Sequence, residues 1–201
     1  MKNLNTYIHE KLTIVHKKSY SCAPQTKDEL REIITDRLKD DPDADFNDIN
    51  VSNITDMSEL FNLLDPHNID ISEWDVSNVT NMAWMFYGCE NFNSDLSNWD
   101  VSQVEDMSFM FRSCYTFNSD LSNWDVSKVH WISNMFEKCF NFNSDLKDWD
   151  VSNITDMGHM FYNCRHFNYD LSKWKVGKYT SIQHMFDNCD RLKKLPKWYD
   201  Y

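Results

Sequence analysis

Apolar and polar positions along this chain recur in a fixed order every 25 residues from Phe46 onward. Within one unit, Leu96 to Val101 alternates apolar and polar residues, a pattern that favours extended backbone. The apolar positions that follow, at 107, 110, 111 and 114, have helical spacing and predict a short helical turn. A loop from Tyr115 to Asp120 then leads into the next unit. Each unit is therefore predicted to be a coil of one short strand, one short helical turn and one turn.

Columns of equivalent apolar residues continue through the chain without insertions. Each column has one member every 25 residues. The first and last members are Trp74 and Trp174, Val51 and Val176, Phe61 and Phe186, Phe92 and Phe167, Leu96 and Leu171, and Cys89 and Cys189. A unit of this length is too short to bury its own apolar face, so each side chain is expected to stack on its copy in the next coil. The columns therefore predict a repeat solenoid whose coils lie about 4.8 Å apart.

Different patterns at the two ends predict caps. Thr26-Lys27-Asp28-Glu29 is a capping box, and it predicts a helix over about 26–39 that covers the first coil. Pro196 falls in the leucine column, where it would block further pairing. The predicted organisation is an N-terminal segment and cap at 1–45, repeats at 46–191 and a C-terminal cap at 192–201. For residues 1–22 two interpretations stay open, namely additional capping structure or a docking peptide that another protein binds.

The repeat also resembles a known family. The segment FNSDLSNWDVSQVEDMSFMFRSC is similar to the BspA-type leucine-rich repeat, a 25-residue surface-protein repeat that also occurs in mycoplasma lipoproteins. The similarity extends from Phe46 to about Leu192. It implies a leucine-rich-repeat-like solenoid with right-handed coils and a role in adhesion or protein binding, and it supplies no catalytic residue.

Composition and the N-terminal sequence bear on partners and location. The net charge of −12 argues against nucleic acid and anionic membranes, and it leaves open a basic protein partner, a cation or a role in solubility alone. No run approaches the roughly 18 apolar residues of a membrane span. Met1 to Lys18 lacks the apolar core of a secretory signal and a lipobox cysteine. We therefore expect a cytoplasmic location, while the family resemblance leaves a surface or particle-associated one open.

Two repeated residue types suggest metal chemistry, and both have a structural interpretation that we favour. The cysteines are 25 residues apart, unlike the close pairs of a zinc site, so we predict buried reduced thiols. Carboxylate columns such as Asp95–Asp170 could bind calcium, but they also fit turn chemistry. The column Asn93–Asn168 is similarly predicted to be a structural asparagine ladder. We expect no cofactor, with calcium as the alternative.

Columns that change from repeat to repeat are where partner specificity is predicted to lie. Large aromatic, basic and histidine side chains in such columns are typical of interface anchors, and the alternative is that they pack on neighbouring coils. The candidate partner-binding residues are Trp84, Tyr87, Phe109, Arg112, Tyr115, Trp131, Phe140, His159, Tyr162 and His184.

The sequence therefore predicts a non-enzymatic protein-binding module that uses a lateral face of the repeats. No catalytic arrangement is recognisable among its residues. A carbohydrate is a weaker candidate ligand. The alternative function is a structural or assembly component docked through its N-terminal segment.

Overall fold

The computed structural model describes residues 19–67 and 69–199. It contains one α-helix, α1 (Lys27–Asp40), and one 3₁₀ helix, Lys197–Tyr199. The remainder consists of turns and isolated parallel β-bridges. Five of these bridges form a row in steps of 25 residues from Asp56 to Ser181 and join six successive coils. We number the coils 1 to 6 from their first residues, at positions 44, 69, 94, 119, 144 and 169, and call the set of six the stack.

The predicted leucine-rich-repeat solenoid, with coils of short strand and helical turn, is wrong. Within the described residues, α1 is the one α-helix and no extended strand or sheet occurs. The predicted strand from Leu96 to Val101 is a turn, because the Trp99 N–H donates to the Leu96 carbonyl three residues earlier (3.2 Å). The alternating pattern marks the buried positions of a turn rather than one face of a strand.

The predicted helical turn at residues 107–114 is a succession of β-turns. The Met110 N–H donates to a carbonyl three residues back in its own coil (3.2 Å), whereas the Phe111 N–H donates to the next coil (2.9 Å). Left-handed backbone at Phe109 (φ 61°) and Ser113 (φ 64°) accompanies this alternation. In an α-helix every N–H would point to the residue four positions back. Apolar spacing of three and four residues is shared by both arrangements, so the sequence pattern did not distinguish them.

Stacked tryptophans hold the coils in register. The Trp124 and Trp149 rings are nearly parallel, with centroids 6.5 Å apart. The Trp124 indole N–H donates to the Leu96 carbonyl of the preceding coil (3.0 Å), and Trp149 donates likewise to Leu121 (3.0 Å). A buried indole N–H requires such an acceptor. Equivalent bonds are made by Trp74, Trp99, Trp174 and Trp198.

Helix α1 covers coil 1, at the position where the capping box predicted a helix. The Thr26 side chain accepts the Glu29 N–H (3.2 Å) at its N-terminus, and Leu30 and Ile34 on its inner face are buried. Within residues 19–67 and 69–199 no coil precedes coil 1 to donate hydrogen bonds to its carbonyls. The Arg31 guanidinium fills this role, since it donates to the carbonyls of Glu59, Leu60 and Asn62.

A bidentate ion pair also fixes α1 to coil 1. The Arg37 guanidinium donates to both carboxylate oxygens of Asp48 (2.6 and 2.9 Å), and this hydrogen bonding lowers the pKa of Asp48 to about 2. A carboxyl whose pKa is depressed on folding stabilises the fold above its unfolded pKa, about 3.9. That contribution is lost as the pH falls toward 2.

We expect Asp48→Asn to lower the free energy of unfolding at pH 7, because Arg37 loses its charged partner. The deficit should shrink between about pH 4 and pH 2, where the wild-type carboxyl is itself protonated. Urea denaturation at several pH values measures it. The matched control is Asp36→Asn, at an exposed pair with Lys39 on the outer side of α1. An equal effect of both substitutions at pH 7 would contradict this assignment.

The tryptophan bonds give a second prediction. Trp124→Phe removes an indole N–H and leaves the buried Leu96 carbonyl without that donor, so we expect about 2 kcal/mol less free energy of unfolding. Trp198→Phe, at the half-buried end of the same column, should lower the free energy of unfolding by clearly less. Chemical denaturation followed by circular dichroism measures both. Equal losses would show that the stacked rings, rather than the hydrogen bonds, dominate.

Candidate partner-binding surface

Two neighbouring variable columns form one row of side chains on the turn segments of the coils. Their members lie three residues apart within each coil, and side-chain contacts join them across coils 2 to 4 and across coils 5 and 6. We call this row the lateral strip; it consists of Trp84, Tyr87, Phe109, Arg112, Asn134, Glu137, His159, Tyr162, His184 and Asp187.

An aromatic cluster with a guanidinium occupies the end of the lateral strip on coils 2 and 3. Trp84 stacks on Phe109 with ring centroids 4.1 Å apart, and its ring centroid is 4.9 Å from that of Tyr87. The Arg112 guanidinium carbon lies 5.7 Å from the Tyr87 centroid and 5.6 Å from the Phe109 centroid. All four side chains are half-buried. They combine apolar area with a fixed cation.

A buried carboxylate in coil 4 orients that cation. Glu137 is 5% exposed, and one of its carboxylate oxygens is 3.0 Å from Arg112 Nε. The same oxygen accepts a hydrogen bond from the Asn134 side-chain amide (2.6 Å). Lys138 Nζ is 3.7 Å from its other oxygen. Glu137 was not among the candidates predicted from the sequence, because one carboxylate in a variable column gives no sign of being buried.

Histidines occupy the other end of the lateral strip, on coils 5 and 6. The His159 ring centroid is 5.1 Å from that of His184 and 5.6 Å from that of Tyr162. Nδ1 of His184 lies 2.8 Å from an Asp187 carboxylate oxygen. Across residues 19–67 and 69–199, no three His, Cys, Asp or Glu side chains are grouped to hold a metal ion.

Tyr115 and Phe140 form a separate stack beside the lateral strip. Their ring centroids are 4.9 Å apart, and the Arg165 guanidinium lies 4.7 Å from the Phe140 centroid. Burial and the neighbouring Glu90 raise the pKa of Tyr115. Trp131 is more exposed, at 47%, and its ring centroid lies 5.6 Å from that of His130. The structure thus groups nine of the ten candidates in two patches and leaves Trp131 apart.

Two of the most exposed apolar side chains, Tyr179 and Leu63, were not among the residues predicted from the sequence. Tyr179 is 91% exposed, at a position where the four preceding coils bury Val79, Val104, Val129 and Ile154. That break in a valine column was the available signal. Leu63 is 69% exposed and has a positive φ of 58°. Its side chain lies over Gly88 of the next coil, where an added Cβ would be 2.7 Å from it.

Left-handed backbone recurs in every coil at the variable column Glu59–His184, as it also does at the column Leu63–Asn188. All six residues of the Glu59–His184 column have positive φ, including Trp84 (62°), Phe109 (61°) and His159 (57°). This conformation costs an L-residue about 1–2 kcal/mol, and asparagine tolerates it better than an aromatic residue. Asn134 holds the same position in coil 4 (φ 58°), so the fold does not demand an aromatic ring there.

The asparagine and carboxylate columns serve the backbone. The side-chain oxygens of Asn93, Asn118 and Asn143 each accept the N–H of the asparagine in the next coil (2.7–3.0 Å), which confirms the predicted ladder. Asp95 and Asp120 each accept an N–H two residues ahead (both 2.9 Å). These carboxylates close turns.

Comparison with known proteins now gives the family. Residues 30–137 and 99–199 each match the family described as "Mycoplasma protein of unknown function, DUF285", and together they cover more than half of the chain. The chain belongs to this family. The two matches overlap at 99–137, as expected where one unit repeats. No curated protein and no solved structure shows significant similarity.

Membership of the DUF285 family supports the predicted resemblance only in part. The family is associated with BspA-like surface repeat proteins, but the match is not to a leucine-rich-repeat family. The description states no function, so it assigns none to the lateral strip. As for membranes, neither helix of the described chain has the length and apolar character of a bilayer span.

The cysteine column of this family member is buried between coils. The thiol of Cys139 donates to the Phe111 carbonyl (2.9 Å), and Cys114 and Cys164 make the equivalent bond (both 3.0 Å). All six cysteines of the chain are free thiols. Burial raises the pKa of Cys89 to about 12 and those of the three thiols named above well above the usual value.

We therefore expect iodoacetamide at about pH 8 to leave Cys114, Cys139 and Cys164 unmodified in the folded protein. The thiolate is the reactive form, and a raised pKa keeps its population small. Cys22, which is half-buried at the N-terminal end, should react first. Peptide mass spectrometry with and without urea measures this. Fast modification of Cys139 without urea would contradict the buried column.

Proposed function

We propose that this protein is a non-enzymatic protein-binding module and that the lateral strip is its partner-binding surface. The observation that carries the proposal is the pair Trp84 and Phe109. Both are large aromatic residues at strained left-handed positions where asparagine also fits, and both remain half-exposed. The fold sets left-handed backbone at this column in every coil but does not require an aromatic side chain there, and non-glycine residues held in this conformation cluster at functional positions.

The alternative explanation is that the two rings only stabilise each other. An aromatic pair contributes about 0.5–1.5 kcal/mol beyond its buried area. Two strained backbones at about 1–2 kcal/mol each cost at least as much. The stacking energy alone therefore does not favour aromatic residues over asparagine at these positions. A contribution to partner binding would explain why aromatic residues occur there.

The chemistry of the lateral strip indicates the kind of partner. Aromatic rings and arginine are enriched at the centres of protein interfaces, where they act as anchors. Arg112 is held in place by Glu137 before any partner arrives, so little side-chain freedom is lost on binding. The net charge of −12 favours a partner that is basic around an apolar centre. A carbohydrate, which would stack on the same rings, is the competing ligand.

The test compares the wild type with Trp84→Asn/Phe109→Asn. Asparagine suits the left-handed backbone, so the free energy of unfolding should change by less than about 1 kcal/mol. Partner affinity should fall by at least about tenfold, because two central anchors are lost. A photo-crosslinking residue at position 87 identifies the captured partner, and calorimetry with that purified partner measures affinity.

Two controls distinguish the alternatives. Trp131→Ala alters an exposed aromatic residue outside the lateral strip and should leave affinity unchanged. A chain of residues 19–201 removes the segment through which a structural component would dock, most of which lies outside the described residues. It keeps the Cys22–Ile49 bridge. Loss of binding in this shortened chain, with full binding by the double-asparagine variant, would reject the lateral strip.

A further inference from the structure

The two ends of the stack carry opposite charge. At the α1 end, Lys27, Arg31 and Arg37 are half-buried against coil 1, and the exposed Lys39 pairs with Asp36 (2.7 Å), whereas five carboxylates face solvent. The exposed carboxylates are Asp28, Glu29, Glu32, Asp36 and Asp40. From Leu171 to Tyr199, at the other end, seven Lys and Arg stand against two Asp. In a chain with a net charge of −12, this basic end is a local exception.

The acidic end holds a groove with an apolar floor. It has a volume of about 390 Å³ and lies between the N-terminal segment and α1. Ala23, Pro24 and Ile33 contribute apolar surface. Glu29, Glu32 and Asp36 line it as well and give it a negative rim. A groove of this composition fits an aromatic side chain that is flanked by cations.

The basic end presents such a side chain. Tyr179 on coil 6 is 91% exposed, and Lys178 Nζ lies 5.6 Å from the centre of its ring. Val176 and Ile182 of the same coil are only partly buried, whereas the equivalent residues of earlier coils are fully buried. An apolar edge thus surrounds the tyrosine.

The basic end also carries backbone N–H groups that match the carboxylates of the acidic end as hydrogen-bond donors. In coil 4 the Ile132 N–H donates to coil 5 (3.1 Å), and the Asn134 N–H does the same (2.9 Å). Among the described residues no coil follows coil 6, and there the equivalent N–H groups of Ile182 and His184 have no acceptor. Carboxylates accept hydrogen bonds from backbone N–H groups strongly.

We propose that the protein binds a second copy of itself head to tail. Tyr179 of one copy enters the groove beside α1 of the next, and its neighbouring lysines lie against the rim of Glu29, Glu32 and Asp36. Because the two surfaces differ, each added copy leaves one of each kind free. Such a heterologous contact forms chains or rings rather than stopping at a dimer.

Sedimentation velocity on the full chain tests this contact. The mean mass should rise past that of a dimer with concentration at about 0.01 M salt, where charges interact over about 30 Å. At about 1 M salt, where that distance is about 3 Å, the mass should return to that of the monomer. A monomer at every concentration in low salt would overturn the proposal.

Charge reversal makes the test specific. Glu32→Lys/Asp36→Lys gives a chain with two basic ends. Lys178→Glu/Lys193→Glu/Lys194→Glu leaves four Lys and Arg against five carboxylates from Leu171 to Tyr199, and so gives a chain with two acidic ends. Each variant alone should self-associate at least about tenfold more weakly than the wild type. Their equimolar mixture should recover association, because each basic end then meets an acidic one. Failure of the mixture to associate, with both variants folded by circular dichroism, would overturn the head-to-tail arrangement.

Matched controls separate this contact from general electrostatics and from the lateral strip. Glu105→Lys/Lys128→Glu exchanges two exposed charges in the middle coils and should associate like the wild type. Tyr179→Ser, which leaves the charge unchanged, should weaken association. The Trp84→Asn/Phe109→Asn variant should associate like the wild type, so the self-association proposal and the lateral-strip proposal can be rejected independently. Equal weakening by the Glu105/Lys128 exchange would contradict a specific contact.

Discussion

Each coil of this protein relies on the next one for half of the hydrogen bonds in its turn segment. Because left-handed residues recur along that segment, alternate N–H groups leave the coil in one common direction, as at Phe109 and Phe111. In this segment a coil therefore donates to the following coil and accepts from the preceding one, whereas N–H groups outside it, such as that of His130, donate to the preceding coil (2.9 Å to the Glu105 carbonyl). No single coil satisfies its own backbone, which is why a stack forms and why its two ends differ chemically.

That polarity explains what covers each end. Coil 1 presents carbonyls, and Arg31 covers them because a guanidinium carries several donors and no acceptor. Coil 6 presents N–H groups, which would need acceptors instead. At this end Trp198 continues the tryptophan column and bonds Leu171, while Tyr199 packs against Phe186. The 3₁₀ helix thus covers the apolar columns but leaves the donors of Ile182 and His184 without acceptors among the described residues.

The sequence was informative about burial and uninformative about hydrogen-bond direction. The Trp, Phe and Cys columns identified the buried residues, and the capping box located α1 to within one residue. The strand and helical turn were wrong because apolar spacing reports which side chains face inward. Turns, strands and helices can produce the same spacing. What separates them is the sign of φ at residues such as Phe109, and a tryptophan, phenylalanine or histidine at such a position gives no warning of a left-handed backbone.

The same limit applies to the candidate surface. Variable columns correctly brought together Trp84, Phe109 and Arg112, because residues 25 apart must be neighbours in a stack. Glu137 was missed, since a lone carboxylate in the sequence cannot reveal that it is buried beside an arginine. Positions that the fold does not constrain are therefore recognisable in the sequence as columns whose residues vary. The contacts among such positions, such as the Arg112–Glu137 pair, depend on distances that only the structure supplies.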